Sequence, residues 1–220
     1  MKRFEATSPF PVRLHLRHDL HLARKTWHMF MGLVIAMIYM SGLSCTSGVV
    51  ILSCFLGLDI IVETARLRGP PFNEKVLRVM GPLMRESETH QISGTPYYIL
   101  SALLSIAIFP KPVAVLSILY LAFGDPLASL AGILYGSKSL KIAPGKSLVG
   151  TLTGVIACAL ITWVYSKGLA LTELSTLALV SVGGVAGGMA ELLPFEIDDN
   201  FTIPIFSGFA LWLVFILIGI

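Results

Sequence analysis

Seven long apolar runs separated by polar stretches organise this chain: residues 27–43, 44–62, 94–109, 113–136, 147–166, 171–192 and 201–220. A helix needs about 20 apolar residues to cross a hydrocarbon core about 30 Å thick, and these runs approach that length. The pattern predicts an all-α polytopic transmembrane helix bundle of about seven spans, built as a single domain over residues 1–220. The third run is short, and the fourth carries an acid, Asp125, within "GDPLASLAGILYG". Pro126 suits the first turn of a helix, so Asp125 is expected to cap a new helical segment there. Pro70 and Pro71 in "RGPPFNEK" break any helix continuing from the second run. Residues 9–25 alternate apolar positions with His and Arg, which predicts an interfacial amphipathic lead-in over residues 1–25. No small-residue cleavage site follows the first run, so the N-terminus is expected to be retained.

Composition agrees with the pattern. Of the 220 residues, 55% are hydrophobic and 13% charged, against roughly 25% charged in soluble domains. Charge then adds a direction. Lys2, Arg3, Arg13, Arg17, Arg24 and Lys25 precede the first run; Arg66, Arg68, Lys75, Arg78 and Arg85 lie between the second and third; Lys138, Lys141 and Lys146 lie between the fourth and fifth. With seven spans these share one side, leaving Lys111 and Lys167 on the other. The excess of Lys and Arg makes the first side, with the N-terminus, cytoplasmic, in a bacterial inner membrane or an ER-type membrane. The net charge of +3 sits in these loops and suits anionic headgroups or a polyphosphate rather than nucleic acid. Cys45, Cys54 and Cys158 lie singly within apolar runs and read as small hydrophobes. His15, His18 and His21 recur at every third position and read as a solvated polar face.

The candidate chemistry lies where polar groups interrupt this frame. A carboxylate inside a span costs on the order of 3 kcal/mol and usually marks function, which singles out Asp125. In helical geometry Asp125, Ser129, Gly132 and Gly136 share a face, a small-residue stripe that admits a ligand or simply packs a helix. "PGKS" at 144–147 lacks the first glycine of a P-loop, since Leu140 stands there. Lys146 and Ser147 still precede a helix start, where an ammonium and free backbone N–H groups can meet a phosphate. Asp198, Asp199 and Asn200 supply hard oxygen donors suited to Mg²⁺, with Glu191 upstream; a helix cap is the competing explanation. Asp59, Glu63 and Arg66 share a helix face and read as an ion-pair ladder.

In order, "RKTWH" at 24–28, Glu63 with Arg66, "SGT" at 93–95, "GDPLASLAGILYG", "GKSLVGT" at 145–151 and Glu191 followed by "DDNFTIP" resemble the membrane lipid kinases that use CTP. That group contains dolichol kinase, phytol and farnesol kinases and the yeast-type CTP-dependent diacylglycerol kinase. The resemblance runs from about residue 24 to the end. It extends distantly to phosphatidate cytidylyltransferases, whose Asp-Arg-x-x-Asp segment is replaced here by "GKSLVGT".

The resemblance implies transfer of the γ-phosphoryl group of CTP to the hydroxyl of a long-chain lipid alcohol in the bilayer, a polyprenol or other isoprenoid. It implies Mg²⁺ and phosphate at Asp125, Asp198 and Asp199, the polyphosphate at Lys146 and Ser147, and further phosphate contacts from Arg24, Lys25 and Arg66. Gly132, Gly136 and Asn200 complete the expected binding set, and Asp125 or Glu191 is the expected proton acceptor. A homodimer stays open. Two other readings remain at this point: a cytidylyltransferase making a CDP-lipid, and a transporter in which Asp125 and Glu191 bind a coupling ion.

Overall fold

The computed structural model describes residues 21–193 and 197–219. Residues 1–20 of the interfacial lead-in, with His15 and His18, lie outside the described residues. Among those described, apolar helices take the places of the seven runs: α1 (Leu22–Met40), α2 (Cys45–Arg68), α4 (Thr95–Ile108), a rod made of α5 (Lys111–Leu119) and α6 (Asp125–Tyr135), α7 (Leu148–Ser166), α8 (Glu173–Met189) and α9 (Asp199–Ile218). By length and composition five are long and apolar enough to cross a membrane: Cys45–Arg68, Lys111–Lys138, Leu148–Ser166, Glu173–Leu192 and Asp199–Ile218. Thr95–Ile108 is apolar but shorter, and α1 opens on the polar turn of Arg24, Lys25 and His28.

Side-chain caps set several helix starts. Ser44, Ser147, Thr172 and Asp198 accept backbone N–H groups of the first turns of α2, α7, α8 and α9. Pro70 and Pro71 end α2 as expected, and they also begin α3 (Pro70–Met80), an amphipathic helix within the polar segment. A short hairpin of β1 (Lys141–Ala143) and β2 (Lys146–Ser147) occupies the segment expected as loop. Gly145 turns it at φ +75°, a conformation that favours glycine.

The rod departs from the expected interruption at Asp125. Helix continues through it by way of a π turn, Tyr120–Gly124, and the Asp125 N–H bonds the Tyr120 carbonyl five residues back. Asp125 makes no cap. Pro126 lacks an N–H and its ring would crowd the carbonyl four residues earlier, and the wider turn relieves both defects without ending the helix.

The centre of the bundle is α5, whose Val113, Ala114, Val115, Leu116 and Ile118 are wholly buried between α1, α4 and α9. Large apolar side chains such as Phe55, Leu58 and Ile61 of α2 and Leu213 and Leu217 of α9 point outward, as a lipid-facing surface requires. The tightest seam joins α7 to α8. In an apolar solvent helices associate by close packing of small residues, and a Cβ on Gly188 would lie 2.3 Å from the Val155 nitrogen and 2.5 Å from its Cα. At the end of the bundle away from the site described below, Lys111 donates to the carbonyls of Tyr39 and Leu43, 3.1 Å each.

The seam yields a direct expectation. Gly188→Ala must push backbone from backbone, at a cost of about 3 kcal/mol or more. Its thermal midpoint in detergent should fall well below that of the unaltered protein, and an unchanged midpoint would contradict the close approach.

Candidate active site

Successive helices run in alternating directions, so the start of α1, the end of α2, the start of α4, the end of α6, the start of α7, the end of α8 and the start of α9 meet at one end. A cleft of about 620 Å³ opens there. One wall is the polar turn of α1, with Arg24, Lys25 and His28; α6 contributes Asp125, Ser129 and Gly132. The hairpin brings Lys141, Lys146 and Ser147, while Glu191 and Asp199 close the far side and Arg85 overhangs.

Lys146 is gripped by two carboxylates, Glu191 Oε2 at 2.7 Å and Asp199 Oδ2 at 2.9 Å. Burial alone would lower the pKa of its ammonium, but Asp199 and Glu191 outweigh burial and hold it above the ordinary lysine range. It is a fixed cation at neutral pH. Glu191 also accepts the Thr151 hydroxyl at 3.2 Å, so both of its oxygens are engaged. Asp125 differs. Among the described residues no hydrogen bond or ion pair reaches its carboxylate, which lies within electrostatic reach of Lys25 and His28.

The other expected residues stand behind this surface. Asp198 caps α9 through the Asn200 N–H, 2.9 Å, and is absent from the cleft lining. Burial pushes its carboxyl up, the Asn200 N–H and the Arg85 charge pull it back, and Asp199 adds to the rise. Asn200 is buried and donates to the Gly94 carbonyl at 3.2 Å, tying α9 to the start of α4. Gly136 packs against the hairpin, where a Cβ would stand 2.8 Å from Ser147 Oγ. Arg66 is 1% exposed. It forks onto Glu63 at 2.8 and 2.6 Å and donates to the carbonyls of Glu88 and Gln91 at 2.9 and 2.7 Å, so it fastens the polar segment rather than facing the cleft. Asp125 and Asp199 are thus the expected metal-binding carboxylates that reach the cleft.

Glu88 was not expected. It is buried, and both of its oxygens lie 2.8 Å from Arg24 Nη1. It also accepts the backbone N–H groups of Arg85 at 2.9 Å and Gly94 at 3.3 Å. One carboxylate therefore aims Arg24, shapes the turn carrying Arg85 and ties both to α4. The sequence signal is slight, an acid three residues after Arg85 at the start of a 3₁₀ turn, in the manner of a capping box.

No family model matches the chain, and no solved structure matches it. Curated relatives do. CTP-dependent diacylglycerol kinase 1 of Saccharomyces cerevisiae is 30% identical over 216 residues, 87% of this chain and 72% of the yeast protein. The protein of the same name from Schizosaccharomyces pombe is 34% identical over 162 residues, 69% of this chain and 74% of its own length. A chloroplastic farnesol kinase of Arabidopsis thaliana is 26% identical over 207 residues, covering 90% of this chain and 66% of that protein. The chain belongs to the family of CTP-dependent lipid kinases that these diacylglycerol kinases represent.

Proposed function

We propose that the protein transfers the γ-phosphoryl group of CTP to the hydroxyl of a membrane lipid. The observation that carries this reading is the meeting of Asp125, a carboxylate that no described residue pairs, with Arg24, Lys25, Arg85 and Lys146 in one cleft at the polar end of an apolar bundle. Phosphoryl transfer asks a protein chiefly for position and charge neutralisation. In this reading Arg24, Lys25 and Lys146 bind phosphate oxygens, helped by the N-terminal turn of α7 behind Ser147. Asp125 and Asp199 are hard, cleft-facing oxygen donors, and this donor set fits Mg²⁺, which takes one or two carboxylates and completes its shell with phosphate oxygens and water. Bound there, Mg²⁺ would neutralise charge on the phosphate chain. Glu191, engaged by Lys146 and Thr151, positions the lysine. Asp125 is then the carboxylate available to the hydroxyl proton as the new oxygen–phosphorus bond forms and the bond to CDP breaks.

The acceptor is a hydroxyl at the boundary of cleft and bilayer. The farnesol kinase relative supports the isoprenoid expected from the sequence, whereas the relatives of higher identity are named for diacylglycerol, and this favours a glycerolipid hydroxyl. Purified protein given dioleoylglycerol or farnesol with CTP labelled at the α or the γ phosphate tests the reaction. Label from γ in the lipid is expected. Label from α would mean cytidylyl transfer, and no label in lipid would leave transport standing.

Three variants extend the test. Asp125→Asn keeps shape and removes charge, so turnover should fall by about a hundredfold or more while the protein still inserts into membranes; full activity would remove Asp125 from the site. Glu88→Gln weakens the hold on Arg24 and should raise the dissociation constant for CTP by about tenfold, with partial recovery in Glu88→Asp. Unaltered CTP binding would show that Arg24 needs no such support. Lys111→Ala, at the far end, should lower the thermal midpoint through two lost hydrogen bonds and leave turnover intact.

A further inference from the structure

The π turn leaves one backbone group without a helical partner. In an unbroken α-helix the Leu121 carbonyl would accept the Asp125 N–H, but that N–H goes to Tyr120. The next donor along, at the π spacing, belongs to Pro126, which has no hydrogen. Leu121 is wholly buried, so an orphaned carbonyl there would be costly. His28 satisfies it from another helix, with Nε2 at 3.0 Å from the Leu121 oxygen. A carbonyl can only accept, so Nε2 carries the proton, and in the neutral ring Nδ1 then presents a lone pair.

The rest of the ring is fixed as well. Tyr98 packs edge-on at 4.5 Å and donates its hydroxyl to the His28 carbonyl at 3.1 Å. Gly32, one turn further along α1, lets this face press against the π turn, since a Cβ there would lie 2.5 Å from Ala122 Cβ. His28 lines the cleft, and with Nε2 committed to Leu121, Nδ1 is the other polar atom of its ring.

From this geometry we infer that, before reaction, His28 Nδ1 receives the hydrogen bond of the acceptor lipid's hydroxyl and turns its oxygen towards the γ-phosphate, and that this single proton passes to Asp125 as the oxygen–phosphorus bond forms. The inference rests on the kinase reading above and assigns it a residue for the acceptor. A neutral lone pair repels phosphate oxygens and suits an O–H donor. Its depth also fits. His28 lies one helical turn beyond Arg24 towards the apolar part of the bundle, and Leu121, its anchor, is one turn before Asp125. Phosphates meet cations at the polar rim, and the lipid hydroxyl meets His28 beneath them.

Two substitutions separate the ring's two nitrogens. In His28→Gln the side-chain amide can still donate to the Leu121 carbonyl, but the Nδ1 lone pair is gone. In His28→Asn the polar atom near the Nδ1 position remains and the donor to Leu121 is lost. The assay uses full-length protein in vesicles with whichever of dioleoylglycerol and farnesol the unaltered protein phosphorylates faster. His28→Gln should lower kcat/KM for the lipid by about tenfold or more while the CTP dissociation constant and thermal midpoint stay near those of the unaltered protein. His28→Asn should lose thermal stability yet keep more lipid turnover per folded molecule than His28→Gln. Unchanged lipid kinetics in His28→Gln would overturn the assignment, as would weakened CTP binding with kcat intact, which would place Nδ1 on the cytosine amino group.

If His28→Gln does not fold, the O-methyl ether of the acceptor lipid decides the matter in the unaltered protein. Lacking a donor, the ether should inhibit about tenfold more weakly than the alcohol binds, and equal affinity overturns the inference. If the unaltered protein labels neither lipid from γ-labelled CTP, the kinase reading falls and takes this one with it. If it labels lipid normally and only the His28 results fail, the kinase reading stands alone.

Discussion

A charge inside an apolar bundle must be paired, hydrogen-bonded or open to water, and the polar end of this protein is arranged by that constraint. Glu88 is the clearest instance. Its buried carboxylate is tolerable because a guanidinium and two backbone N–H groups surround it, and those partners belong to α1, to the turn at Arg85 and to the start of α4. Arg66 is the complementary case, a buried cation satisfied by Glu63 and two carbonyls of the same polar segment. Together they fasten a stretch of polar chain into a shelf, from which Arg85 reaches the cleft and against which Arg24 of α1 is held.

Against this paired background Asp125 stands out. Lys25, His28 and the Glu191 carboxylate lie within its electrostatic reach, yet no described side chain closes on its oxygens. The π turn and Pro126 matter here because they keep the helix continuous while changing its register, so the acid projects into the cleft from the middle of a 28-residue apolar rod. Helices on either side carry the complementary groups. The hairpin delivers Lys146 against Glu191 and Asp199, and α1 delivers Arg24, Lys25 and His28.

Much of this plan can be read from the order of residues because the bilayer imposes length and polarity on each segment. The apolar runs mark the helices; the rarity of charge within them draws attention to Asp125 and Glu191, and the polar residues just before two runs to Lys146 and Asp199, and the structure brings all four to one cleft. Other features depend on relations that no local pattern carries. Glu88 sits in "RESETH", where an acid looks like any solvated loop residue, and its partner Arg24 lies 64 positions away. The π turn shifts the helical period by a single residue, with Pro126 as the only hint. Asp198 and Asn200 resemble a ligand pair in sequence; in the structure Asp198 Oδ1 caps α9 and the Asn200 amide reaches Gly94 at the start of α4, contacts that no local pattern foretells. The glycines of α8 were invisible as a seam because their meaning depends on which helix lies opposite.

The double grip on Lys146 has a consequence for selectivity. Any anion that seeks this ammonium competes with two carboxylates already within 3 Å of it, and those carboxylates would repel the newcomer. A bare anion therefore meets a threshold at Lys146. In the proposed kinase reading, a nucleotide escorted by a divalent cation would offer Asp199 a new partner as it took Lys146, so entry would be an exchange of ionic partners that selects the metal complex over the free nucleotide.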